Sequence, residues 1–382
     1  MFSSRLPSNL SPNRLSRLTA EMRRGGADLL DLTESNPTRV GLRYPAQSIL
    51  DGFADSRILA YEPAPFGMAE ARGAIAALEG VPVENVVLTT STSESYSWLF
   101  KLLCDAGDEI LVPQPSYPLF EHLAGLESVT ATRYPLRYDG RWSIDLQALE
   151  RAISGKTRAI AVVNPNNPTG SYLNHGELEA LDRIASERGL ALIADEVFRD
   201  YSFDPDVKRT FAVPKPQSLV FRLNGLSKML GLPQLKLGWI ILVGPENPIL
   251  ETRERLEMIA DSYLSVGAPV QIALPSLLAS RETIQNQIVA RIRSNLKFLH
   301  ESLEGSTCSV LHAEGGWNAV LRVPSTRSEE EWAMSLLAEQ RVLVQPGYFF
   351  DFEAEAYLVL SLLPAQHIFE KGVRRLVDLT SG

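Results

Sequence analysis

Apolar and polar positions along the chain fall into two regimes. Short continuous apolar runs, closed by Pro, Gly, Asn or Ser, alternate with longer stretches in which apolar residues recur every three or four positions. Runs of the first kind lie at residues 28–32, 86–88, 109–112, 159–163, 189–194, 218–223 and 237–241. Their length and continuity predict strands buried on both faces, as in a parallel sheet. Helical spacing predicts helices over 11–24 (Leu15, Leu18, Met22), 69–78, the stretch with Leu99, Phe100, Leu102 and Leu103, 178–188, 251–259, 269–295 and 369–379. Ser11-Pro12 supplies a start signal for the first helix and Gly25-Gly26 its end. Further strand-like runs stand at 308–323 and 341–344, with turns at Gly315-Gly316 and Pro346-Gly347. Strands alternating with helices predict an α/β fold whose ligand crevice lies where the chain leaves the strands.

Composition adds bounds rather than identity. The chain has 382 residues, 45% of them hydrophobic, enough for a large core divided into two substructures around one site. Net charge is −9, and no basic block is long enough for a nucleic-acid arm, Arg23-Arg24 being only a pair. Cys104 and Cys308 lie far apart without metal spacing, which fits a reduced cytoplasm. The first ten residues lack the apolar core of a signal peptide, and no apolar run reaches membrane-spanning length. The expectation is a soluble cytoplasmic protein that binds neither nucleic acid nor membrane.

Candidate chemistry sits at the ends of the apolar runs. Asn224-Gly225-Leu226-Ser227-Lys228 follows 218–223, placing Lys228 in the loop that leaves the sheet. A lone lysine there is more often a solvated surface residue, so Lys228 needs partners elsewhere. Asp195 ends the run 189–194, where a carboxylate is costly to bury unless something positive faces it; a cap on the next helix is the plainer role. Asn164-Pro165-Asn166-Asn167-Pro168-Thr169-Gly170 closes 159–163 as a stiff turn. Thr89-Thr90-Ser91-Thr92-Ser93-Glu94 joins a strand to a helix start, a ready anion site, although Ser91 or Ser93 could simply cap that helix. Tyr117 in Pro115-Ser116-Tyr117-Pro118 and Tyr61 in 61–67 could be ordinary loop aromatics.

Taken together and in this order, these segments resemble the class I/II aminotransferases, pyridoxal-phosphate enzymes of fold type I in the aspartate aminotransferase superfamily, over residues 30–363. The resemblance implies a large domain with a mainly parallel seven-stranded sheet flanked by helices, plus a smaller α+β domain built from both chain ends. Expected boundaries are 1–45 for the arm and part of the small domain, 46–274 for the cofactor domain and 275–382 for the small domain. It implies that Lys228 holds pyridoxal 5'-phosphate as a Schiff base and moves the substrate proton. Asp195 then holds the pyridine nitrogen, Asn167 the phenolic oxygen, and Tyr117 stacks on the ring. Thr92, Ser93, Ser227 and Lys236 are expected at the phosphate, with Tyr61 reaching it from the neighbouring protomer of a homodimer. The partners are then a small-molecule amino donor and a keto acid or aldehyde acceptor.

Four positions depart from the family pattern. Ser35 stands where the family's substrate-covering loop has glycine, and Lys236 where it has arginine, which keeps charge but loses the planar fork. Phe198 replaces a tyrosine that shares the phenolic oxygen, so Asn167 is expected to act alone and the bound chromophore to titrate at higher pH. Val359 stands in place of the arginine that clamps the substrate carboxylate, with Arg39 and Arg322 as distant substitutes. That last departure keeps a lyase, decarboxylase or cyclase of the same fold as an alternative to a transaminase. A regulator with an aminotransferase-like domain and a binding module without chemistry are the readings from other classes. The short stretch before the first strand opposes the former, and the trio Lys228, Asp195 and Asn167 opposes the latter.

Overall fold

The computed structural model describes residues 2–204, 210–211, 213, 215–354 and 356–380. Its strands are β1 (Leu30–Asp31), β2 (Val86–Thr89), β3 (Glu109–Gln114), β4 (Thr130–Tyr138), β5 (Trp142–Ile144), β6 (Thr157–Val163), β7 (Ala191–Asp195), β8 (Val220–Gly225), β9 (Gly238–Val243), β10 (Ser309–Val310), β11 (Asn318–Arg322), β12 (Val342–Leu343), β13 (Gln345–Pro346) and β14 (Tyr357–Ser361). Nine of them, β1 to β9, precede the long helices Glu246–Tyr263, Ala268–Ala279 and Arg281–Leu303.

The main sheet has eight strands in the order β2-β9-β8-β7-β6-β3-β4-β5. Its centre is parallel: β8, β7, β6, β3 and β4 pair in one direction. β9 runs antiparallel between β8 and β2, and β5 adds an antiparallel hairpin partner to β4. The expected seven strands are therefore extended by an eighth at one edge. The strand period shows directly in the packing. Ala159, Ala161 and Val163 of β6 face the helices Thr92–Leu103 and Glu246–Tyr263, while Ile160 and Val162 face the helix His175–Arg188 on the opposite side.

Helix boundaries follow their caps. Asn13 rather than Ser11 starts the first helix, its side chain accepting from Ser16 N, so that helix runs Arg14–Arg24. Asn174 and Glu177 form a reciprocal capping box at the start of His175–Arg188, and Gly189 closes it in the left-handed region at φ 64°. The expected single helix over 269–295 is two helices, broken at Ser280.

A four-stranded sheet, β10-β11-β14-β13, lies beyond the long helices, and β1 pairs with β12 in a two-stranded parallel ladder. That ladder ties the start of the chain to its last quarter. The parallel strands β3, β6, β7 and β8 all point their C-terminal ends the same way, and residues of the four-stranded sheet lie near those ends. These strand ends border the cavity described next.

Candidate active site

A cavity of about 440 Å³ opens at the ends of those strands. Its lining includes Thr92, Ser93, Tyr117, Asn167, Asp195, Ser227, Lys228 and Lys236, so the structure brings together eight of the nine sequence-expected site residues. The ninth, Tyr61, is 78% exposed and lies outside this cavity. Ser35 and Phe198 also line it. Val359 does not; it is fully buried with Trp142, Leu311, Val320 and Phe350. Arg39 and Arg322 are exposed and are not among the described lining residues, and Arg322 sits over the rings of Tyr138 and Tyr357.

Each side chain is placed by a local device. Lys228 is not in a loop but in the short helix Leu226–Met229, which β8 feeds directly. Gly225 and Gly238 face each other across β8 and β9, and a Cβ on Gly225 would lie 3.0 Å from Gly238 Cα. A Cβ on Gly238 would come within 3.2 Å of Ser91, so this pair lets the lysine turn and the hydroxyl-rich turn approach closely. Tyr201 donates its hydroxyl hydrogen to the Lys228 carbonyl, fixing the main chain beneath the lysine.

The Lys228 amine lies 5.5 Å from the Phe198 ring centre and 5.2 Å from that of Trp317. It makes no hydrogen bond or ion pair among the described residues, and burial pulls its proton affinity below the ordinary lysine value, opposed by Asp195. Asp195 is itself buried, and loss of water pushes its carboxyl up to about 6. Val197 N–H donates to Asp195 Oδ1 and the Tyr96 hydroxyl to Oδ2, both at 3.1 Å, pulling the other way. A half-buried amine and a buried carboxylate therefore share a cavity without pairing to each other.

The hydroxyl-rich turn resolves into two jobs. Ser91 caps the helix Thr92–Leu103, accepting from Glu94 N, and Glu94 in turn accepts from Thr90 N. Capping thus occupies Ser91 and leaves Thr92 and Ser93 at the cavity wall, beside the first free N–H groups of the helix. Lys236 also lines the cavity, held in the left-handed region at φ 52°. Tyr117 packs edge-on against Phe120, and burial pushes its phenol up to about 12.

Sequence reasoning missed Tyr96, Trp317, Asn318, Gln345, Phe350 and Thr33. Thr33, Trp317, Asn318, Gln345 and Phe350 line the cavity from the segments around β1, β11 and β13, and Tyr96 supports Asp195 from behind. The turn signal at Gly315-Gly316 was the one available pointer to Trp317 and Asn318.

The residues present fit a flat, anionic, carbonyl-bearing group. They offer a half-buried amine, a buried carboxylate, an aromatic wall, an amide, and hydroxyls with a lysine at a helix start.

Comparison with known proteins gives the same outline. The family model described as Aminotransferase class I and II matches residues 27–366. A glutamate-pyruvate aminotransferase of Haemophilus influenzae is 27% identical over 380 residues, covering 93% of this chain and 91% of that protein. An alanine aminotransferase of Mycobacterium tuberculosis is 27% identical, covering 94% and 86%. Among solved structures, an aminotransferase from Escherichia coli superposes with a TM-score of 0.89 at 25% identity, covering 100% of this chain and 98% of that one.

Proposed function

Since the chain belongs to the class I and II aminotransferases, pyridoxal-phosphate enzymes of fold type I, we propose that it transfers an amino group with Lys228 as its central residue. The observation that carries this is the Lys228 amine, without hydrogen bond or ion pair among the described residues, sharing one cavity with Asp195 and Asn167. Lys228 would hold the cofactor's carbonyl carbon, Asp195 its ring nitrogen and Asn167 its phenolic oxygen. Tyr117 would cover a ring face, and Thr92, Ser93, Ser227 and Lys236 would hold the phosphate. When bound, pyridoxal phosphate supplies an electron sink for the carbon that carries the substrate nitrogen.

The chain's own groups do the rest. Burial keeps the Lys228 amine from being locked as an ammonium, so it can take a proton from the substrate carbon and return it. Asp195, ionised above about pH 6, favours a protonated ring nitrogen. Phe198 and Trp317 flank the amine with apolar ring surface. Replacing Lys228 with Ala should abolish transamination and the visible band that develops on adding pyridoxal phosphate. Retention of both by that variant would refute the assignment.

Further parts of this reading concern partners. Curated relatives carry names that specify alanine and glutamate-pyruvate transamination, which makes small amino acids and keto acids the first compounds to test. The described lining from the four-stranded sheet and the β1 loop is uncharged: Thr33, Ser35, Trp317, Asn318, Gln345 and Phe350. A donor carboxylate held there would rely on amide and hydroxyl donors, at a cost relative to a guanidinium. A donor screen read by loss of the visible band, with alanine set against ethylamine, measures how far that side tolerates a carboxylate. A homodimer with Tyr61 reaching the second site is supported by the exposure of that residue. Two unpaired cysteines support a reducing compartment, the cytoplasm.

A further inference from the structure

We infer that Asn318 is a positioning residue, fixing which end of the Asn167 amide faces the cavity. The inference rests on the assignment of Asn167 to the cofactor's phenolic oxygen. Asn318 Nδ2 donates to Asn167 Oδ1 at 2.6 Å, and both side chains line the cavity. A primary amide has an accepting end and a donating end. With its oxygen engaged by Asn318, Asn167 is left with its N–H hydrogens to offer the space beside Lys228.

The two amides come from different sheets. Asn167 lies in the loop after β6 of the main sheet, whereas Asn318 opens β11 and pairs with Ser361 of β14. Asn318 is anchored on both sides without help from its side chain. Before it, Glu314 N and Gly315 N both donate to the Gly170 carbonyl at 3.0 Å, and Gly316 N donates to the Tyr201 carbonyl at 2.9 Å. Gly170 has φ +70°, and a Cβ there would lie 2.4 Å from Gly315 O, so this stitching requires glycine. After Asn318 runs the β11–β14 ladder. The amide pair is therefore separable from the fold: removing the Asn318 side chain leaves both anchors in place.

Orientation matters because it decides a sign. An N–H donated to the phenolic oxygen withdraws negative charge from it, while a carbonyl turned there repels it. Phe198, on the wall beside Lys228, contributes no hydrogen-bond donor. Asn167 thus carries this contact, and Asn318 keeps it turned the right way.

The experiment uses wild type, N318A, N318D, N167A, N167A/N318A and N167A/N318D, each loaded with pyridoxal phosphate. The visible absorption band is titrated with pH and cofactor affinity is measured on the same samples. N318A should raise the titration midpoint by about half a pH unit or more, because the donor is no longer held on the phenolic oxygen. N318D has nearly the same volume but only accepts, so it should turn the Asn167 amide over. It should raise the midpoint further and weaken cofactor affinity about tenfold. In the N167A background, N318A should add nothing. Midpoints within about 0.2 unit of wild type for both Asn318 variants would overturn the inference. A shift that persists without Asn167 would overturn it as well. Should N318A fail to fold by circular dichroism, N318D compared with N167A/N318D carries the test, since a shift caused by the added charge alone would persist without Asn167 and overturn the inference. Wild type that takes up no pyridoxal phosphate would refute the cofactor assignment itself, and this inference with it.

Discussion

Asp195 is pushed up to about 6 chiefly by burial, and the Val197 N–H and Tyr96 hydroxyl restrain that rise. The sign of the linkage follows. A carboxyl raised from the ordinary 3.8 contributes stability to the cofactor-free fold at low pH, and loses it as pH climbs through about 6. Urea melts of the cofactor-free protein between about pH 4 and 7 should show that loss, and D195N should remove this part of the slope. Tyr96 packs against Phe100 and Phe120, so Y96F keeps the ring contacts and deletes only the donor. It should push the Asp195 carboxyl higher and weaken pyridoxal phosphate binding about three- to tenfold near pH 7, read by fluorescence titration. Apolar runs marked where Lys228, Asp195 and Asn167 would stand, but only the family resemblance singled them out from a surface lysine, a helix cap and a plain turn. Tyr96 was legible from neither, because an aromatic inside an amphipathic helix looks like core, and its hydroxyl partner comes from a distant strand.

At the scale of elements, the apolar run 218–223 conceals a charge. Arg222 of β8 donates to Glu196 Oε2 and Glu79 Oε2, both at 2.9 Å. Arg199 also pairs with both acids, at 2.6 Å to Glu79 and 3.3 Å to Glu196. Thr210 and Phe211 N–H complete the Glu196 carboxylate. Asp200 lies 3.8 Å from Arg199 as well, so among the described residues two guanidiniums face three carboxylates beside the strand end that carries Asp195. R222M should cost about 3–5 kcal/mol in chemical denaturation, because it leaves two buried carboxylates with one guanidinium. Periodicity showed β8 as a strand but could not show this, since Glu79, Glu196 and Arg199 lie in other segments. The β4–β5 hairpin was invisible for a different reason: its residues are largely half-exposed, so the run of apolar positions that marks the central strands is missing.

For the whole molecule, Leu59, Tyr61, Met258 and Tyr263 are exposed at 87%, 78%, 77% and 51%. The proposed homodimer should cover part of this apolar surface. Light scattering should then give twice the chain mass, and L59D should shift it toward the monomer with weakened cofactor binding. Overall architecture was legible because strand and helix alternate along the chain, while the meeting of two sheets at one cavity depends on long-range pairing that local pattern does not encode. Val359 is sealed by Trp142 from the extra hairpin together with Leu311, Val320 and Phe350, so a guanidinium introduced there would meet an indole instead of open space. A lone arginine at 359 would carry an uncompensated charge into an apolar box, so V359R should destabilise the fold rather than supply a working carboxylate clamp.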